Sequence, residues 1–222
     1  MIETIQEPAV QQLIRSPKLP LYVQEFQVLL QEEREKRERF YDEMSEQQKV
    51  EFINGKIMIQ SPVKLRHSIA SQNLFTLLDT YVRKHRLGFV GHEKILITLT
   101  RNDYEPDTCY FGNAKAQGFY PDQIKFPAPD FVVELVSPAT EAIDRGIKFE
   151  DYAAHGVSEY WIIAPQEEHV EQYGLKDEAY DLLVKVKTGI LQSVAVRGFD
   201  IPVRAIFDEN EHLATLQAIL ER

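Results

Sequence analysis

Cysteine is almost missing from this 222-residue chain. Cys109 stands alone, so no disulfide can form within it and the fold must be held by its core. That cysteine lies in the apolar run Thr-Cys-Tyr-Phe, the setting of a buried, inert thiol. Long hydrophobic runs are missing too: no stretch approaches the ~18 apolar residues that span a bilayer. The N-terminal MIETIQEPAVQQL has no basic segment followed by an apolar one, so no signal peptide is expected. With a single thiol suited to a reducing compartment, a cytoplasmic protein without a membrane partner is expected. Positive charge is in deficit, with 25 Lys and Arg against 35 Asp and Glu, a net charge of -10. That argues against a dedicated nucleic-acid binder, which is usually basic. It does not exclude an enzyme acting on nucleic acid, whose site holds carboxylates. Internal repeats and low-complexity linkers are also lacking, which suits one domain with an extension.

What is present is ordinary globular composition, with 44% hydrophobic residues, enough to bury a core at this length. Residues 1–20, with Pro8, Pro17 and Pro20, predict a loose arm. Residues 21–45 contain QEEREKRER, in which Glu32 with Lys36, Glu33 with Arg37 and Glu35 with Arg39 are spaced i, i+4, an exposed helix with a solvated face. Asn54-Gly55 between VEFI and KIMI predicts a hairpin. Residues 68–86 predict a helix with Ala70, Leu74, Leu77, Leu78, Tyr81 and Val82 on one stripe, a basic last turn at Arg83 to Arg86, and Gly88 as its stop.

Three strands are expected next, over 89–100, 107–112 and 130–136, the last nearly all apolar as in a central strand covered on both faces. A helix over 139–155 follows, with Ser137 as N-cap and Gly156 as stop, then a strand over 159–164. Strand, helix and apolar strand imply a parallel crossover. Strand signals at 170–173, 180–186 and 192–196 extend the sheet edge. The expected division is an arm and helix over 1–45, a domain over 46–210 and a C-terminal tail helix over 211–222. The fold class is α/β, with a mixed sheet flanked by helices.

Carboxylates inside the apolar run carry the chemistry. Asp130 and Glu134 lie on one face of their strand, about 13 Å apart at ~3.3 Å per residue, too far to share an ion. Asp130 marks the strand start, where a cation can pair with it. Glu134 lies deeper, and an ionised, unpaired carboxylate there is strongly disfavoured. If the preceding strand pairs with this one, Asp107 and Glu134 converge on one metal, and oxygen-only ligands suit Mg2+ or Mn2+. Asp144, Lys148 and Tyr152 share a helical stripe that lies over the strand's end. On spacing alone, Asp144 and Lys148 form a surface pair of little energetic worth.

The segments EFINGKI, SPVKLRH, EPD ahead of a strand, PDFVVELVSPAT and the pattern D...K...Y...GV.EYW together resemble the bacterial Uma-type restriction-endonuclease-like family, within the PD-(D/E)XK nuclease superfamily. The resemblance runs from about residue 50 to 207. It implies a core of helix, three strands, helix and strand, the order already read from the residues. Its proline-aspartate motif falls on Pro106 and Asp107, and its second acidic position on Glu134. The usual lysine two residues later is here Val136, and the resemblance assigns the amine to Lys148. Asp144 would hold that amine and Tyr152 would pack beside it. Glu51 and His67 also match: Glu51 as a further metal-site carboxylate, His67 as a base or phosphate contact, or as a structural hydrogen bond at a helix start. Asp130 is then either a supporting partner of the site or a strand-start residue. The implied activity is a Mg2+-dependent (or Mn2+-dependent) DNA endonuclease. The alternatives are a catalytically silent nucleic-acid or protein interaction module on the same fold, and a hydrolase of a small phosphoester. Cutting both strands of a duplex favours two related sites, so a homodimer is expected.

Overall fold

The computed structural model describes residues 7–44 and 48–221. The first six residues of the expected arm and the expected boundary at 45–46 lie outside the described residues. The remainder of the arm is not loose. It folds into α1 (Pro8–Ile14), followed by α2 (Leu19–Glu43), each with a proline in its first turn, where the missing N–H leaves no hydrogen bond unmade. The charged run of α2 is also more than a solvated face. Glu33 pairs with Arg101 at 2.8 Å and Arg37 forks onto the fully buried Asp103 at 2.6 and 2.9 Å, so both residues are engaged in tertiary contacts.

β1 (Val50–Ile53) and β2 (Lys56–Ile59) form the expected hairpin, with positive φ at Asn54 (49°) and Gly55 (75°) as a tight two-residue turn requires. In α3 (Leu65–His85) all six stripe residues are buried. Its four fully buried side chains, Leu74, Leu77, Leu78 and Val82, each stabilise the fold by ~1.5–3 kcal/mol. The helix ends at Arg86 in the left-handed region, and Lys84 donates to the carbonyls of Ile219 and Leu220.

The single strand expected over 89–100 is two: β3 (Gly88–His92) and β4 (Leu96–Thr98), separated at Glu93, whose φ of 52° ends the extended run. The two halves enter different sheets. β5 (Asp103–Tyr104), β6 (Thr108–Gly112), the short α4 (Asn113–Ala116), β7 (Lys125–Phe126) and β8 (Phe131–Leu135) follow. The single helix expected over 139–155 is broken into α5 (Glu141–Asp144) and α6 (Ile147–Ala154). At Gly146 the chain turns so tightly that a Cβ would lie 2.7 Å from the Ala142 carbonyl oxygen. Then come β9 (Glu159–Ala164), β10 (His169–Lys176), β11 (Ala179–Val186), β12 (Ile190–Gln192), β13 (Asp200–Pro202), a 3-10 turn over Val203–Ile206 and α7 (Glu209–Glu221).

Strand signal at 192–196 does not extend beyond Gln192. The N–H groups of Val194 and Ala195 and the Ser193 hydroxyl are spent instead on the buried Glu159 carboxylate, which also accepts from Trp161 and Gln172.

The main sheet has six strands in the order β11-β10-β9-β8-β6-β3, antiparallel except for the parallel β8–β9 pair joined through α5 and α6. A second sheet, β2-β1-β5-β4-β7, lies beside it, and β12 pairs with β13. β8 and β9 are covered on both faces. Phe131, Val133, Trp161 and Ile163 pack with the α3 stripe, while Val132, Tyr160 and Ile162 pack with Cys109 and Tyr152. This is the mixed α/β arrangement expected, with an N-terminal helical extension. Glu134, two residues beyond Val132, emerges on the α6 side.

Candidate active site

Four elements bring carboxylates to one place. β6 and β8 pair antiparallel with Thr108 opposite Val133, so Asp107 and Glu134 occupy the next opposed position and share a face. β1 delivers Glu51 from the hairpin, and the end of α5 delivers Asp144. All four are buried, with at most 7% of each residue exposed, and all line a cavity of about 390 Å³.

Lys148, in the first turn of α6, lies at the centre of this group. Its Nζ is 2.8 Å from Glu51, 3.0 Å from Glu134 and 3.2 Å from Asp144, and only 2% of the residue is exposed. The surface pair expected from spacing is therefore corrected: the i, i+4 partner is real, but the amine is buried among three carboxylates. Burial alone would lower the lysine pKa, yet the three carboxylates hold it well above its ordinary value. Glu134 is pushed well up from 4.5, by burial first and then by the charges of Asp144, Asp107 and Glu51, against the pull of Lys148. Asp144 is raised for the same reasons. Tyr152 is fully buried with its hydroxyl 3.5 Å from Glu134, the carboxylate that Lys148 also contacts.

Asp107 is compensated separately. Its Oδ2 accepts the Leu135 N–H at 2.7 Å and its Oδ1 lies 2.7 Å from Lys49 Nζ. Burial would raise its pKa, but Lys49 and His67 hold it below the usual carboxylate range. The His67 Nε2 lies 3.8 Å from Asp107 Oδ1, too distant for a hydrogen bond. Glu51 accepts the Glu105 N–H at 3.0 Å while Glu105 accepts the Val50 N–H at 2.7 Å, a reciprocal clasp that ties β1 to the segment before Asp107. Burial pushes Glu105 up to about 6.

Asp130 is not in this group. Its carboxylate accepts the Gly112 N–H at 2.7 Å and pairs with Lys115 at 2.7 Å, and its carbonyl accepts from Ser158. It pins the start of β8, at the opposite end from Glu134, and of the two expected readings the strand-start one holds. Lys49 was not singled out from sequence. The available signal was spacing: Lys49, the residue just before β1, is two positions from Glu51, and extended residues two apart project to the same side. Lys148, expected over the same site as Glu134, pairs with it directly.

The fit of a divalent cation rests on the donor set. Four carboxylates face two lysines, so two negative charges remain when all are ionised, and the donors are oxygen only, as Mg2+ or Mn2+ requires. Among the described residues no three acidic, histidine or cysteine side chains converge on a single ion position. The donor chemistry is thus that of a Mg2+ or Mn2+ site, without a preformed three-ligand cluster among the described residues.

The cavity is also lined by Lys64, Arg66 and His67 around the start of α3 and by the apolar Met58, Ile59, Val63, Val136 and Ile143. The sequence profile of the Uma2 family, described as "Putative restriction endonuclease", matches residues 34–204. The chain belongs to the Uma2 family. It is 27% identical over 170 residues to an uncharacterized protein of Synechocystis sp., a match covering 74% of this chain and 86% of that one. Its fold is similar to a crystal structure from Anabaena variabilis described as "a putative nuclease belonging to DUF820", with a TM-score of 0.65 and 18% identity, covering 80% of this chain and 96% of that one. Val136, where the PD-(D/E)XK pattern usually has lysine, lies on the apolar rim of the Uma2 site, and Lys148 enters from α6. No helix among the described residues is long and apolar enough to cross a membrane.

Proposed function

We infer that this Uma2 protein is a metal-dependent DNA endonuclease that hydrolyses phosphodiester bonds. The observation that carries the reading is the burial of Lys148 among Glu51, Glu134 and Asp144 beside Asp107, at the wall of a cavity with a basic rim. Burying four carboxylates together costs stability, and a catalytic role is a physical reason to retain them. A Mg2+ or Mn2+ ion held by Asp107 and Glu134 supplies Lewis-acid activation of water and neutralises phosphate charge. The chain's own residues do the rest. Lys64, Arg66 and His67, with the free N–H groups at the start of α3, receive the phosphate backbone. Lys148, held by its three carboxylates, keeps a fixed positive charge beside the reacting phosphate. Glu51 and Asp144 fix that ammonium, and Tyr152 closes the floor beneath Glu134. The apolar rim keeps bulk water from the charges.

A second reading, hydrolysis of a small phosphoester, is favoured by one observation: the cavity has the size of a small-molecule pocket and a largely apolar rim. Cleavage of supercoiled plasmid and of bis-p-nitrophenyl phosphate, each with Mn2+, separates the two. Plasmid nicking by the wild type that is lost in Glu134→Ala supports the endonuclease. Turnover of the small ester alone supports the second reading. Inertness towards both, with any divalent ion, leaves an interaction module.

A further inference from the structure

The α1–α2 arm presents a feature that the site does not use. From Val23 to Glu32 every residue of α2 is exposed, and the first buried residue of the helix is Glu33. Leu21, Val28 and Leu29 are each between 45% and 57% exposed. A helical segment of this length gains little stability from propensity alone and normally buries its apolar stripe against something. The Uma2 match begins at residue 34 and does not include this part of the helix.

We propose that this stretch of α2 is a dimerisation arm whose partner is the same stretch of a second copy, packed antiparallel about a two-fold axis at the level of Glu25. The charge pattern selects that partner. Lys18, Leu21, Glu25, Val28, Leu29 and Glu32 recur at three- and four-residue intervals and form one face. The face is positive at its Lys18 end and negative at its Glu32 end, with Leu21, Val28 and Leu29 and the acidic Glu25 between. Laid antiparallel on itself with Glu25 on the axis, it sets Lys18 of each copy opposite Glu32 of the other and Leu21 opposite Leu29. The parallel arrangement sets like charge on like charge. A two-fold interface needs this self-complementarity, each contact occurring twice. A purely acidic or basic partner would match one end and be repelled by the other. Glu25 meets its own copy near the axis, the one like-charge contact of the arrangement. Two short helical faces bury less than the ~1,200 Å² of a standard interface, so association falls in the micromolar range.

The test is sedimentation equilibrium of the full chain from low to high micromolar concentration, with circular dichroism to confirm that each variant folds. The mass is expected to rise from the 25.7 kDa monomer towards twice that value. Leu29→Asp is expected to remain monomeric throughout. Lys18→Glu alone and Glu32→Lys alone are each expected to weaken the dimer about tenfold, because each removes two cross-copy ion pairs. The double reversal is expected to restore wild-type affinity, and Glu25→Gln to strengthen it. A wild type that stays monomeric overturns the proposal, as does a dimer that survives Leu29→Asp. A double reversal no better than the single ones overturns the antiparallel register. None of these readouts depends on catalysis, so the result stands apart from the endonuclease reading.

Discussion

Replacing Lys148 by alanine separates a buried keystone from a surface pair more sharply than any other single change. The wild-type ammonium touches Glu51, Glu134 and Asp144 at 2.8, 3.0 and 3.2 Å. Removing it leaves three buried carboxylates without their shared cation. Breaking a buried pair in this way costs ~3–5 kcal/mol, whereas an exposed pair is worth ~1 kcal/mol or less. In urea, with a slope of about 2 kcal/mol per molar, the larger figure moves the unfolding midpoint down by roughly 1.5–2.5 M. The pH dependence has a definite sign. Glu134 already has a folded-state pKa well above 4.5, so its contribution to stability is present below that value and is lost as pH rises through the folded one. Without Lys148 its pKa rises further, so the variant's deficit grows with pH and shrinks as pH falls towards 4.5. Lys148, itself raised above 10.5, stays charged in the wild type across that window and adds no slope of its own. The assay is urea unfolding of the wild type and Lys148→Ala at pH 5, 6, 7 and 8. A deficit under ~1 kcal/mol at pH 7, or one that does not change with pH, refutes the reasoning.

Isothermal titration with Mn2+ is expected to show weak binding by the wild type and a large loss in Asp107→Asn; equal binding by both removes Asp107 from the ion's site. Arg37→Ala strips Asp103, fully buried, of its bidentate partner and is expected to cost ~3–5 kcal/mol in urea unfolding, while Lys36→Ala on the exposed side stays within about 0.5 kcal/mol. Glu159→Gln replaces a carboxylate that accepts from Trp161, Gln172, Ser193, Val194 and Ala195 by an amide with only one acceptor oxygen; a loss of ~3 kcal/mol or more is expected, and a neutral result in thermal unfolding contradicts the assigned role.

The local elements were legible because their signals are local. Asn54-Gly55 fixed a hairpin since few residues tolerate positive φ, and the six-residue stripe of α3 fixed a core helix since 3.6-residue spacing has one buried side. The apolar run around Glu134 marked a central strand, and the cost of an ionised group there pointed to the site. What alternation and periodicity could not convey was which charges meet. Sequence paired Glu33 with Arg37 along one helix; in three dimensions each engages a residue more than sixty positions away. Spacing alone made Lys148 a surface partner of Asp144, only the family resemblance put it at the site, and Lys49 was left unnoticed. Lys49 was placed by the approach of β1 to the paired ends of β6 and β8, and Lys148 by the packing of α6 over them, contacts with no trace in neighbouring residues. The split of the 89–100 run between two sheets and the break at Gly146 belong to the same class, since each depends on a backbone approached from elsewhere in the chain. The sequence alone determined most of the local elements, the family pattern and the acidic residues of the candidate site, because spacing and residue type decide these. Only the tertiary structure decided that Lys148 compensates Glu134, that Lys49 compensates Asp107 and that Asp130 stays apart, because electrostatic compensation depends on distance in space and on the water excluded between charges.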